Sequence, residues 1–222
     1  MTSQTSTLIL GEAANPGPHG GVNLQSQAST LTLVDVVFPV SDQTRRIARD
    51  VLLIVGFSLF TALMAQITIR PPFTPVPITG QTLAVLLTGA ALGSWRGAAA
   101  LTLYLFEGSF LPVYAGFSSN LVWTMASGGY IIGFIPAAFV VGFLCEHGWD
   151  RRVWILLAML AGNVVLYIPG LLQLSFFVPD GKVLEFGLYP FILGDLIKLY
   201  LASLAVPSAW VLVNRIRPTQ LP

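Results

Sequence analysis

Charge is what this sequence has least of. Asp, Glu, Lys and Arg make up 9% of its 222 residues, against roughly a quarter in an ordinary soluble domain. Lysine occurs only at Lys182 and Lys198, and neither stands in a G-x-x-x-x-G-K-[ST] loop. ATP hydrolysis by a Walker mechanism is thereby excluded. Cysteine occurs once, at Cys145, so no disulfide closes within the chain and no cysteine-based metal cluster forms. The two histidines, His19 and His147, are far apart, which argues against a metal site. The net charge of +1 points to no nucleic-acid partner. No H-E-x-x-H and no serine with a nearby histidine base suggests hydrolysis, and no repeat links the two halves.

Apolar residues fill the space that charge leaves. They are 55% of the chain, with mean hydropathy +0.76, and they fall in long runs. That pattern is an all-α integral membrane protein with the lipid bilayer as its surroundings. Six segments read as helices: Ile47 to Ile69, Ile78 to Gly93, Gly97 to Phe110, Gly128 to Cys145, Val153 to Phe176, and a sixth from Phe186. The second and third are short for a bilayer that needs about twenty residues, so they are tilted, extended by their flanks, or backed by protein. Trp95-Arg96-Gly97 reads as a tight interfacial turn between them. Residues 1–44 read as a mobile tail, 45–217 as the membrane domain and 218–222 as a second tail. Within the first tail, Leu31 to Val40 alternates apolar and polar residues, as a surface-lying segment would.

Basic residues set the orientation. With the N-terminus inside, Arg45, Arg46, Arg49, Arg96, Arg151, Arg152, Arg215 and Arg217 are all cytoplasmic, while only Arg70 and Lys182 face outward. Both termini are then expected on the cytoplasmic side. Small residues say how the helices meet. Gly89, Gly93 and Gly97 recur every fourth position, as do Gly129 and Gly133, which lets backbones approach closely. Ser58, Ala62 and Ala65 share one face of the first segment. That face either packs inside the chain or docks another membrane subunit.

Three ionisable residues fall in the apolar runs: Glu107, Asp195 and Lys198. Each costs about 2.5–3.5 kcal/mol to insert, so each is a functional hypothesis by default. Asp195 and Lys198 share a helix face at i and i+3, roughly 12–17 Å from the outer end at 1.5 Å per residue. A carboxylate and an ammonium at that depth suit a small polar ligand entering from outside, although a buried pair could also simply tie helices together. Glu107 reads as structural support near the outer interface. The loop from Leu111 to Ala126 has no lysine or arginine and the length of a lid. Asn120, Trp123 and Tyr130 could stack on a ligand or bond to it, or merely anchor the interface. Gln81 follows a Pro-rich turn at the outer start of the second segment. Asn163 and Tyr167 lie four apart on one face of the fifth and either bond across helices or meet ligand.

The order of the motifs is also familiar. PVPITGQTLAVLLTGAALG, LYLFEGSFLPVYAG, SGGYIIGF and PFILGDLIKLYLA, spread over Phe57 to Ala205, resemble the successive motifs of the BioY family. These are the biotin-specific S components of energy-coupling factor (ECF) vitamin transporters. The resemblance implies a six-helix S-component fold in a bacterial-type plasma membrane, with no cofactor and biotin as transported ligand. It implies capture from outside and partnership with a transmembrane T component and two ABC-type ATPases, which fits the missing phosphate loop. By the same resemblance Asp195 and Lys198 bind biotin, Gln81 and Tyr130 lie near the pocket, and Ser58, Ala62 and Ala65 form the face that meets the T component. AGFSSN and MAS depart from the glycine-rich loop and Gly-Pro-Thr usual there, so Phe117 and Asn120 are expected to reshape the lid. The rival readings are an S component for another vitamin, a solitary biotin carrier, an intramembrane enzyme with Asp195 or Glu107 as base, and a purely structural subunit.

Overall fold

The computed structural model describes residues 32–150 and 153–216. The expected tail residues 1–31 and 218–222, with Arg151, Arg152 and Arg217, lie outside them. The described residues begin at Thr32. Its hydroxyl and the Asp35 carboxylate form a reciprocal capping box around helix α1, Leu33–Val37, which satisfies amides a short helix would leave bare. Val34 and Val36 are buried, so this stretch packs into the bundle. Two valines two apart in a single turn mimic the alternation of a flat segment.

The long helices follow their apolar runs. Helix α2 is Gln43–Gln66, opened by the Asp42 side chain accepting the Arg45 amide at 3.0 Å. Helices α3, Gln81–Leu92, and α4, Ser94–Phe110, come next. Helix α5 is Gly128–Leu144, continued by a π turn over Cys145–Trp149, and α6 is Trp154–Leu174. A short α7, Val183–Gly187, leads into α8, Tyr189–Ile216. Four of these runs are long and apolar enough to cross a membrane: α2, α5 with its π turn, α6, and α7 joined to α8. Helix α3 has only 12 residues and α4 has 17. Of the three explanations for the short second segment, backing by protein is the one observed, because most of α3 is buried among its neighbours.

Two expected helix ends are strands. β1, Thr68–Ile69, pairs antiparallel with β2, Ile78–Thr79, in the register Thr68 to Thr79 and Ile69 to Ile78. β-branched residues favour the extended form, and Pro71, Pro72, Pro75 and Pro77 between them forbid helix. The turn between α3 and α4 also falls earlier than expected, at Gly93. That residue takes φ +84°, a conformation glycine alone adopts freely. Glu146 reaches in to accept the Ser94 amide at 2.8 Å. Trp95, Arg96 and Gly97 therefore form the first turn of α4.

Helix α5 sits at the centre, packed against α3, α4 and α6. Glycine makes this possible, as the four-residue spacing implies. A Cβ on Gly129 or Gly133 would fall 2.2 or 2.5 Å from the Pro169 or Leu166 carbonyl oxygen, and one on Gly89 would fall 2.5 Å from that of Ala138.

Candidate functional site

The hairpin, the loop after α4 and the neighbouring parts of α3, α5, α6 and α8 enclose a cavity of about 370 Å³, within the size range of small-molecule sites. Asp195 lies in its wall, 6% exposed. Three donors converge on the carboxylate. Lys198 Nζ donates to Oδ1 at 3.0 Å, Thr82 Oγ1 donates to Oδ1 at 3.2 Å, and the Tyr167 hydroxyl donates to Oδ2. The partners come from α8, α3 and α6, so this one carboxylate joins three helices. Its charge is balanced and partly bonded, with acceptor capacity left on a group that can take about four hydrogen bonds.

The apolar wall beside it comes from Ile131, Phe134, Leu166 and Phe191. Tyr130 belongs to this wall. Its hydroxyl donates to the Gly187 carbonyl at 2.7 Å, and its ring stands edge-on to Tyr167 with centroids 5.8 Å apart. Gln81 lines the cavity while holding it open. Its amide nitrogen donates to the Tyr104 hydroxyl at 2.7 Å and its oxygen accepts from Thr79 Oγ1 at 2.8 Å.

The cover over the cavity is fastened at several points. Tyr114 Oη donates to the Leu105 carbonyl at 2.8 Å, and its ring fills space over Gly108 that a Cβ would occupy. Burial pushes this phenol up to about 12, which keeps it a neutral donor. Gln66 Nε2 donates to the Val113 and Tyr114 carbonyls, and its Oε1 accepts the Phe117 amide at 3.0 Å. Gln173 Nε2 donates to the carbonyls of Val122 and Met125 at 2.6 and 2.9 Å. Thr74 Oγ1 ties the Pro-rich hairpin to the Phe186 carbonyl at 2.6 Å.

Asp195, Lys198, Gln81, Tyr130 and Tyr167 thus line one cavity. Two expected members do not. Asn120 is exposed on the loop after α4, and its backbone amide donates to the Gly108 carbonyl at 3.1 Å. Asn163 is buried one turn along α6 from Tyr167, outside the cavity lining, with its side-chain oxygen unpartnered among the described residues. Trp123 faces outward on a separate apolar groove with Phe176 and Phe177. The docking face on α2 needs a larger correction. Ser58, Ala62 and Ala65 are 0%, 8% and 0% exposed, and the Ser58 hydroxyl donates to Glu107 on α4. A face turned into its own chain offers nothing to a partner, so the internal-packing reading is the one observed. Glu107 is the structural support expected of it. Thr82 and Arg70 line the cavity without having been singled out as ligand contacts. Thr82 adjoins Gln81 in TGQT, but only the packing of α3 on α8 brings it to Asp195.

A family model described as the BioY family matches residues 30–215. A protein of Thermotoga maritima named biotin transporter BioY is 38% identical over 157 residues, 68% of this chain and 91% of that one. One of the same name from Rhizobium etli is 38% identical over 162 residues, 66% of this chain and 87% of its own. A crystal structure described as the S-component for biotin from an ECF-type ABC transporter aligns with a TM-score of 0.65 at 24% identity. The alignment covers 81% of this chain and 96% of that one, and it speaks to the fold.

Proposed function

The chain belongs to the BioY family, and from that premise we propose that it captures biotin in the cavity around Asp195 for uptake across the plasma membrane. It is a multi-pass membrane protein whose role is transport and not catalysis. In the proposed arrangement the chain crosses six times, with α3 and α4 as the short second and third crossings and both termini in the cytoplasm. The basic residues of the α2 and α4 starts support that orientation, and the cavity then opens outward. Residues 45–217 carry the crossings, with α1 packed beneath them.

The single observation that carries this reading is Asp195, buried in a cavity wall and held by three donors from three helices. A ureido ring presents two N–H donors and a carbonyl acceptor, which suit this carboxylate and the adjacent ammonium. A thiophane ring and valerate chain suit the wall of Ile131, Phe134, Leu166 and Phe191. Release inside would be driven by a T component and two ABC-type ATPases. The missing phosphate loop supports an energy source outside this chain.

Titration of the purified protein with biotin tests the reading. Saturable binding is expected, and Asp195→Asn or Lys198→Ala should weaken it by at least about tenfold, the scale of a charged hydrogen bond. No saturable binding, or binding that both variants leave untouched, would remove the basis for the proposal. Uptake by cells lacking any T component would instead favour a solitary carrier.

A further inference from the structure

Among the described residues, one cation of the cavity has no carboxylate partner. The lining holds two cations, Lys198 and Arg70, and one carboxylate, Asp195. Lys198 is committed to Asp195 at 3.0 Å. Among the described residues Arg70 forms no ion pair, and its guanidinium makes one hydrogen bond, from Nη2 to the Ala115 carbonyl at 3.0 Å. A guanidinium has five N–H donors, so most of this one's capacity is unused. Arg70 is exposed where Asp195 is buried, which puts it at the open side of the cavity.

Its position is built. Arg70 follows β1 directly and precedes Pro71 and Pro72, whose fixed φ stiffens the chain that carries it. The loop after α4 curls over the guanidinium at Gly116, which takes φ +72°. A Cβ there would lie 2.4 Å from Arg70 Nη2, so only glycine leaves room for the side chain to lie against the loop. Gln66 holds the same turn through Phe117, Val113 and Tyr114. Ser118 and Ser127 line the cavity as well.

We propose that Arg70 selects the free carboxylate of the ligand, pairing with it at the mouth while the Asp195 end holds the hydrogen-bonding head. This rests on the reading of the cavity as a biotin site. The cavity then has two polar ends and an apolar middle, the layout for a molecule with a polar ring at one end and a carboxylate at the other. Planar guanidinium recognises carboxylate in a fork that a lone ammonium cannot match. Lys198 is thereby assigned to the ring and not to the acid.

The test compares biotin with biotinamide, its neutral amide, on the wild type and on Arg70→Gln. The wild type should prefer biotin by about tenfold or more, the scale of a charge-assisted pair. Arg70→Gln should lose that preference, its affinity for biotin falling far more than its affinity for biotinamide. Raising salt from low to high on the wild type should narrow the preference, a measurement that does not depend on the variant folding. Equal affinity of the wild type for the two ligands, or an unchanged preference in Arg70→Gln, would overturn the assignment while leaving the biotin site intact. Absence of binding to either ligand by the wild type would overturn the site reading and this inference together.

Discussion

Thr82 carries the sharpest residue-level consequence of the structure. Its hydroxyl is one of three donors on Asp195, at 3.2 Å, and a hydrogen bond to a charged group contributes about 1.5–3 kcal/mol. Thr82→Val keeps the shape and removes the donor, so biotin affinity should fall by about tenfold or more. Tyr167→Phe removes a second donor and should act at least as strongly, since a carboxylate with fewer donors is worse solvated. Calorimetric titration of both variants decides this, and binding as tight as wild type would show that the hydroxyls only position helices. Asp195 and Lys198 were legible in the sequence because each charge stands out against an apolar run. Thr82 was not, because a threonine in a helix tolerates many surroundings and only the neighbouring helix gives this one its partner. Asn163 and Asn120 misled for the converse reason. An amide advertises hydrogen bonding without saying to what.

Elements were readable to the extent that one local rule governed them. Long apolar runs gave α2, α5, α6 and α8 to within a few residues, whereas the β1–β2 pair depends on a contact across a Pro-rich loop that no single run records. Glycine spacing was a good guide to helix contacts, and it yields a test. Gly133 meets α6 so closely that a Cβ would fall 2.5 Å from the Leu166 carbonyl oxygen and 2.9 Å from Pro169 Cγ. Backbone cannot step aside as a side chain can, so Gly133→Val should destabilise by about 1–3 kcal/mol, the usual cost of overpacking. Gly56→Ala on α2 is the control, because a Cβ there meets nothing within 4 Å and helix propensity favours alanine by about 1 kcal/mol. Melting in detergent should separate the two, with Gly133→Val lowered and Gly56→Ala equal to wild type or raised. Equal melting of all three proteins would mean that α5 and α6 are further apart than this packing requires.

At the scale of the molecule, polar chemistry is gathered at the two ends of α4. The cavity lies beyond its Phe110 end. At its Ser94 end Asp35 binds Arg96 at 2.6 Å and Arg49 at 3.0 Å, and Asp50 binds Arg49 at 2.7 Å and Arg96 at 3.2 Å. Two carboxylates and two guanidiniums thus fasten α1 to the starts of α2 and α4. The sequence did not reveal this lock, since a five-residue helix is too short to show a period and its partners lie 14 and 61 residues away. Burial alone would raise the Asp35 carboxyl, but the bonds and charge of Arg96 with the Thr32 hydroxyl outweigh it and hold the group at about 2. A folded value below the unfolded one, about 3.9, means stability that is present above pH 4 and lost as pH falls toward 2. Asp35→Asn should therefore melt below wild type at pH 7, and the gap should close as pH falls from 4 toward 2. Subtracting the variant from the wild type removes the other carboxylates that titrate in this range. A gap that stays constant to pH 2.5 would show that Asp35 contributes shape and no linked proton. Biotin affinity at pH 7 should be the same in both proteins, because the lock and the cavity lie at opposite ends of α4 and share no side chain.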